Sequence, residues 1–329
     1  MIKKNDKTKY NLSVIVPAYN VTDYIGRCLD SLEAQDGISI EIVIVNDGST
    51  DTTLDVINNY ASRYTNIRVI NQENKGLYHA RTNGIKYVTS EYVTFCDADD
   101  YIDKDFYQIV LGKMIKADAD VLQYGVRKIQ YGKDLWKFAP KEASCDGIEA
   151  VKHIFEKINC TCSNCNKIYK ISLFDGVLFN EDIRRYEEDK LINIKIVGKA
   201  MRVVSIPDIG YNYDTREGSI TTTQSGLDYL DMLKTNEIIF EYVKANVPQA
   251  LQPAAYDYCA HLAYCYSYCY RNQGDDIAEK EILPKFKKVY KEEGLRSYKP
   301  ANASLKRKLM MNILRFSPKL CVLLYKVVA

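Results

Sequence analysis

Two acids one residue apart, Asp97 and Asp99, stand where the strand-like run YVTFC (92–96) gives way to turn residues. Alternate side chains of an extended segment share a face, so both carboxylates can turn toward one crevice. Crowded carboxylates repel one another. A hard divalent cation, Mn²⁺ or Mg²⁺, relieves that repulsion and couples one or two acids to substrate phosphates. The same residues also suit a plain acidic turn in which Asp103 or Asp105 caps a helix over 104–117. A second acid cluster, Glu187, Glu188 and Asp189, opens another helical pattern. It can supply a general base for an attacking hydroxyl, or simply answer the positive end of the helix dipole. Arg216 offers a permanently charged planar fork and Ser219 a hydroxyl, both suited to phosphate oxygens; the alternative use of that segment is a surface turn around Gly218.

Such groups need a frame. SVIVPAYN (13–20) is a β-branched run closed by Pro17, and Ile25, Cys28, Leu29 and Leu32 recur at the spacing of one helix face. EIVIVNDGS (41–49) is a second buried-strand pattern, followed by Leu54, Ile57, Ala61 and Tyr64 at helical spacing. NIRVINQ (66–72) predicts a strand, residues 77–88 a helix, and 92–100 a strand ending in acids. This alternation predicts an α/β fold whose parallel-rich sheet is covered on both faces. Ligands of such sheets sit beyond the carboxyl ends of the strands. The polar strand ends Tyr19-Asn20, Asn46 to Ser49 and Asp97 to Asp100 are therefore expected to line one crevice. Farther on, residues 119–131 look like strand, 146–157 and 187–200 like helix, and 202–216 extended. After Ser225 the pattern is helical, with breaks near Pro248, Gly274 and Pro300. A boundary is expected near 225, dividing a domain over 1–225 from a helical region over 226–329.

In order and spacing these segments resemble the family 2 glycosyltransferases, an inverting group with the GT-A fold. SVIVPAYN is similar to the family's opening strand, VNDGSTD (45–51) to its nucleotide-binding turn, ENKGLYHARTNGI (73–85) to its ENxGxxxARNxGI segment and FCDADD (95–100) to its metal motif. The resemblance runs from residue 13 to about 222. Asn46 and Thr82 depart from the commoner Asp and Asn, without removing a group the metal needs. The resemblance implies a mixed sheet flanked by helices, with a C-terminal helical extension. It implies that Pro17, Tyr19 and Asp47 line the base and ribose pocket, that Arg81 lies near base or phosphates, and that Asp97, with Ala98 beside it, faces the ribose while Asp99 binds Mn²⁺ or Mg²⁺. EED (187–189) stands where the family carries GED, which makes Asp189 the base, Glu188 its acceptor-side neighbour and fallback. YNYDTREGSIT (211–221) is similar to the family's YxYxxRxxSIT segment and brings Arg216 and Ser219 to the diphosphate. CNKIYKISLF (165–174) resembles an acceptor-side segment, with Asn166 and Lys167 as weaker candidates. The donor implied is a nucleotide-diphosphate sugar, UDP-linked by resemblance alone, and the acceptor a glycan hydroxyl in surface-polysaccharide synthesis.

Bulk properties restrict the partners. A net charge of +2 offers no general attraction to nucleic acid, and 47% hydrophobic content suits a globular chain. The polar opening MIKKNDKTKYN has no signal-like apolar region, and ten scattered cysteines read as reduced thiols, so a cytoplasmic location is expected. CTCSNC (160–165) lacks a paired fourth zinc ligand at finger spacing, and Cys259, Cys265 and Cys269 read as packing residues. His79 lies within the substrate-proximal ENKGLYHAR segment, where local packing is the simpler role. After Glu293 there is no acid, while Lys306, Arg307, Lys308, Arg315, Lys319 and Lys326 interleave with Leu309, Met310, Ile313, Leu314, Phe316, Leu320, Val322, Leu323 and Leu324. That suits either an amphipathic segment on an anionic membrane surface, serving a lipid-linked acceptor, or a terminal helix packed on its own domain. A pyrophosphorylase would open with a Gly-rich loop and Lys, a dehydrogenase with GxGxxG, and a processive synthase would carry spans; none of these is present. The remaining alternative is a nucleotide-sugar-binding or scaffold protein without turnover, against which Asp97, Asp99 and Asp189 all stand.

Overall fold

The computed structural model describes residues 10–183, 186–215, 228–272 and 275–328. The first elements follow the alternation: β1 (Leu12–Ala18), α1 (Thr22–Glu33), β2 (Ile40–Asp47), α2 (Thr53–Arg63), β3 (Ile67–Gln72), α3 (Leu77–Ile85) and β4 (Tyr92–Phe95). After them come β5 (Tyr101–Ile102), α4 (Phe106–Lys116), β6 (Val121–Gln130), β7 (Lys133–Phe138), β8 (Ala143–Cys145), α5 (Gly147–Glu156), β9 (Lys167–Lys170), α6 (Glu188–Val197) and β10 (Val203–Asp214). One mixed sheet runs β3-β2-β1-β4-β9-β6-β10-β5, with β7 added to β6 and β8 to β10. β3, β2, β1 and β4 are mutually parallel, β9 runs antiparallel between β4 and β6, and β6 is parallel to β10.

β1 and β2 are buried along their whole length, as continuous apolar runs with both faces covered must be. Leu12, Val14 and Val16 pack with Ile25, Leu29 and Leu32 of α1, Ile57 of α2 and Val110 and Met114 of α4 in one core. Ile15 points the other way, toward α3. A Cβ on Gly84 would lie 2.6 Å from Ile15 Cγ2 and 3.2 Å from a Val45 methyl. The glycine of ARTNGI thus lets α3 lie close on the sheet, and Arg81 sits one turn before it.

Two compact units are delimited, Met1–Gly147 with Cys162–Thr223, and Ile148–Thr161 with Gln224–Ala329. The second contains α7 (Asp228–Asn246), α8 (Leu251–Asn272), the short α9 (Asp275–Ile277) leading through a π-helical turn (Ala278–Ile282) into α10 (Leu283–Glu292), then α11 (Leu305–Phe316) and α12 (Pro318–Val328). Its core gathers Phe240, Tyr258, Leu262, Tyr266 and Phe286 with the buried Cys259, Cys265 and Cys269. The basic tail divides its apolar residues between two environments. Met310, Met311, Leu314 and Cys321 enter this core, and Arg307 pairs with Asp257 of α8. Leu305, Leu309, Phe316, Leu320 and Leu323 remain exposed. Among the described residues, no helix is long and apolar enough to cross a membrane.

Candidate active site

Parallel pairing of β1 with β2 and β4 brings Ala18, Asn46 and Phe95 to the same edge of the sheet, so the three polar strand ends share one side. Pro17 is buried in β1, and Tyr19 beyond it is 45% exposed. Asn20 adopts a left-handed φ of 50° and ties the β1 and β2 turns together. Its backbone N–H donates to Ser49 Oγ at 3.2 Å, and its Oδ1 accepts from the Thr50 N–H at 2.8 Å. Asp47 is buried, and its carboxylate accepts from Gln72 Nε2 at 2.7 Å, Lys75 N–H at 2.9 Å and Gly76 N–H at 2.8 Å. In this arrangement Asp47 anchors the approach to α3, and thereby Arg81.

Arg81 is the hub of the site. Its side chain is 2% exposed, and its guanidinium donates to Asp97 Oδ1 at 2.7 Å, to Glu188 Oε1 at 3.3 Å and to Asp189 Oδ1. Residues from α3, the β4 exit and the start of α6 thus meet on one cation. Burial opposes the guanidinium's charge, but Asp189, Asp97 and Glu188 outweigh it and hold Arg81 protonated. One cation faces three carboxylates, an imbalance that favours proton uptake by the buried Glu188 and Asp189. Burial, then the neighbouring Asp189 charge, pushes Glu188 up to about 7 against the pull of Arg81. Asp189 is also raised, by burial first and by Asp97, with Arg81 and Asn164 opposing. The two acids titrate as a coupled pair. A carboxylate whose pKa moves toward neutrality is better suited to accept a proton from a hydroxyl.

Tyr186 and Glu187, both at φ 63°, turn the chain so that Glu188 and Asp189 fall in the first turn of α6, where the helix dipole favours negative charge. Asn164 orients Asp189: its Nδ2 donates to Oδ1 at 2.8 Å and its backbone N–H to Oδ2 at 3.3 Å. Asn164 is itself held by Asn193 Nδ2 at 2.6 Å and by the Tyr169 hydroxyl at 3.3 Å. Sequence reasoning missed Asn164 and Asn193. The CTCSNC segment carries its site chemistry in the asparagine, while Cys165 is buried and its thiol pushed up by that burial. Asn193 sits one turn after Asp189 at i+4, a spacing that could have flagged it.

The acidic turn separates its members by burial. Asp97 and Asp99 are partly exposed, Ala98 and Asp100 buried. Tyr211 donates to Asp100 Oδ2 at 2.5 Å and accepts from the Asp97 N–H at 3.1 Å, and the Asp214 N–H donates to Asp100 Oδ1 at 2.9 Å. Burial, then Asp99 and Asp97, raises Asp100 well above the usual carboxylate range. Arg27 donates to the Asp99 carbonyl at 2.7 Å and to Asp214 at 2.6 Å. Asp105 adopts a left-handed φ of 60° and makes no side-chain cap to α4. Among the described residues no three His, Cys, Asp or Glu side chains are grouped as a protein-only metal site. One or two accessible carboxylates, with substrate phosphates completing the shell, is the donor set Mg²⁺ and Mn²⁺ ordinarily use; Asp97 and Asp99 fit that description.

Asn166 and Lys167 are buried and bonded inward: Asn166 Nδ2 donates to the Tyr124 carbonyl at 2.9 Å and Lys167 Nζ to the Ser163 carbonyl at 2.6 Å. His79 makes an edge contact with Tyr78. Arg216, Gly218 and Ser219 lie outside the described residues.

Residues 13–178 match the model of "Glycosyl transferase family 2". Glycosyltransferase GlyA of Streptococcus pneumoniae is 32% identical over 64% of this chain and 31% of its own length. The uncharacterized glycosyltransferase EpsJ of Bacillus subtilis is 33% identical over 64% of this chain and 62% of its own. This chain therefore spans less than two thirds of either relative. The structure of residues 1–349 of Staphylococcus aureus TarS in complex with UDP-GlcNAc superimposes with a TM-score of 0.57 at 22% identity, covering 84% of this chain and 92% of that one. That likeness shows the fold, a mixed sheet flanked by helices of the GT-A kind. With its four motifs in place on that fold, the chain belongs to glycosyl transferase family 2.

Proposed function

We propose that this chain catalyses inverting transfer of a hexosyl or N-acetylhexosaminyl group from a nucleotide-diphosphate sugar, UDP-linked, to a hydroxyl of a glycan acceptor in cell-surface polysaccharide synthesis. The observation that carries this is the meeting of Asp97, Glu188 and Asp189 on the buried Arg81. It joins the acid turn expected to hold the donor to the acid expected to activate the acceptor. The UDP-GlcNAc in the TarS structure supports the choice of nucleotide.

Asp189, raised by burial and oriented by Asn164, takes the acceptor proton as the hydroxyl attacks the anomeric carbon. Glu188 is the fallback base. Pro17, Tyr19, Asp47 and Asp97 are assigned to the base and ribose, and Arg216 and Ser219 to the diphosphate. Asp99 would hold Mn²⁺ or Mg²⁺; when bound, the ion neutralises charge on the departing diphosphate. The catalytic domain is placed over 1–225 and a helical region over 226–329. The exposed apolar residues of the basic tail support a position at the inner face of the cell membrane, beside a lipid-linked acceptor.

The test separates the two halves of the site. Asp189→Asn should lower transfer about 10²- to 10⁴-fold while retaining donor binding. Asp99→Ala should weaken Mn²⁺-dependent donor binding itself. Undiminished turnover by Asp189→Asn would remove the base assignment, and donor binding indifferent to both Mn²⁺ and Asp99 would remove the donor assignment.

A further inference from the structure

The β6–β7 hairpin has a construction that the sheet does not need. Its two-residue turn, Tyr131-Gly132, has φ 50° and 73°, the positive pair of a type I′ hairpin. β7 pairs with β6 alone, and Lys133 to Lys137 are all exposed. A register shift pairs Lys128 with Trp136 but Ile129 with Asp134, leaving Leu135 as the extra residue of a bulge, a device that re-aims side chains. Trp136, the single tryptophan of the chain, is 50% exposed and Leu135 52%. Edge lysines are enough to deter strand addition; they do not account for an exposed indole.

The register carries the hairpin toward the site. Trp136 pairs with Lys128 on β6, and Lys128 with Tyr213 on β10, so the three side chains form a row across one face. Lys128 Nζ lies 5.5 Å from the Tyr213 ring centre. Two residues back on β10, on the same face, is Tyr211, whose hydroxyl contacts both the Asp97 N–H and Asp100. The row therefore starts one strand step, about 7 Å, from the residue that braces the acidic turn. The hairpin carries Arg127, Lys128, Lys133 and Lys137 against one acid of its own, Asp134; Arg127 and Lys137 pair on the opposite face from the row, and Arg127 also pairs with Asp103 at 3.6 Å. Asp134 is shared by Lys137 at 2.7 Å and Arg127 at 3.9 Å. No ion pair engages Lys128 or Lys133 among the described residues.

We infer that the row Trp136–Lys128–Tyr213 is a binding platform for the acceptor, a glycan chain bearing phosphate or carboxylate groups. Sugar rings lie against the indole and phenol faces, and the anionic groups meet Lys128 and Lys133. This deepens the glycosyl-transfer assignment and rests on it. Continuity with the Asp97–Asp100 turn favours an acceptor over a membrane as the occupant.

Because Trp136 is the only tryptophan, its fluorescence reports the platform directly in the full chain. A hyaluronan oligosaccharide and an oligo(glycerol phosphate), as anionic probes, should blue-shift its emission and shield it from acrylamide, with an affinity that falls as salt rises. Lys128→Gln should remove most of that salt dependence. With fluorescently labelled probe as readout, Trp136→Ala should weaken binding at least about tenfold, as expected for losing on the order of 100 Å² of covered apolar surface. Silence toward both anionic probes overturns the proposal, as does a response to phosphatidylglycerol vesicles alone, which would mark a membrane contact instead. Stabilisation of the same preparation by UDP with Mn²⁺ is measured in parallel. If it persists while Trp136 is silent, the platform fails alone; if it too is absent, the donor assignment fails as well.

Discussion

Replacing Arg81 by glutamine should destabilise the first unit in a strongly pH-dependent way. The guanidinium is buried and serves Asp97 at 2.7 Å, Glu188 at 3.3 Å and Asp189. Removing one partner of a buried ionic cluster costs about 3–5 kcal/mol, because charge is left uncompensated in a poorly hydrated place. The pH dependence follows from the acids. Glu188 is already raised from 4.5 to about 7, and Asp189 is raised. A group whose folded pKa is raised stabilises fully below its unfolded value and loses that contribution as pH rises through the folded one. For Glu188 in the native chain that window runs from 4.5 to about 7. Arg81 lowers both acids, so its removal moves both windows upward. The penalty should therefore be small near about pH 5, where protons can replace the guanidinium, and approach its full size at about pH 8. Urea unfolding followed by Trp136 fluorescence measures this cleanly, since the single tryptophan lies in the first unit. A loss equal at both pH values to within about 0.5 kcal/mol, or below about 1 kcal/mol at the higher one, would refute the charge-cluster account. Arg81→Lys, which keeps the charge but not the fork, should recover only part of the loss.

Two further outcomes are expected. Glu188→Gln removes a group that is destabilising when ionised, so the variant should gain up to about 3 kcal/mol over the native chain at about pH 8 and nothing near about pH 4; equal pH profiles for the two proteins would contradict the raised Glu188. For the tail, deleting residues 302–329 would strip Met310, Met311, Leu314 and Cys321 from the second unit's core, confounding membrane release with unfolding. Substituting only the exposed Leu309, Phe316 and Leu323 by serine avoids this. Binding to phosphatidylglycerol vesicles should fall at least about tenfold with the circular dichroism unchanged, and undiminished binding would favour a tail that merely packs on its own domain.

Strands β1, β2 and β4 were legible because buried parallel strands announce themselves as apolar runs, and β3, a half-exposed edge strand, through its β-branched Ile67, Val69 and Ile70; their order placed the polar ends on one side. The elements that were missed lack that signature. β9 is four residues long and runs antiparallel at the middle of the sheet, so only its neighbours reveal it. β7, Lys-Asp-Leu-Trp-Lys-Phe, has no buried face and hence no alternation to read; its one local clue was the Tyr-Gly turn. The tail shows the same limit. Interleaved apolar and basic residues are compatible with a membrane or with a core, and packing against α8 settles which apolar residues are enclosed.

The acidic turn can be located from sequence alone, since a strand that ends in Asp97, Ala98, Asp99 and Asp100 is a local pattern. The division of labour inside it cannot. Whether an acid is available to a ligand depends on what surrounds it in three dimensions: Asp100 is buried on Tyr211 and the Asp214 N–H, while Asp97 and Asp99 stay accessible. Likewise the acids at 188 and 189 are visible in the chain, but their raised proton affinity is not. It arises from burial beside Asp97, which is 92 positions away from Asp189 in the chain, around an Arg81 that only the close packing of α3 on the sheet brings within reach. Residue types and spacing determined which groups could do the chemistry. The tertiary structure decided which of them share a charge environment, because desolvation and Coulomb interactions depend on distance in space and burial, neither of which the order of residues specifies.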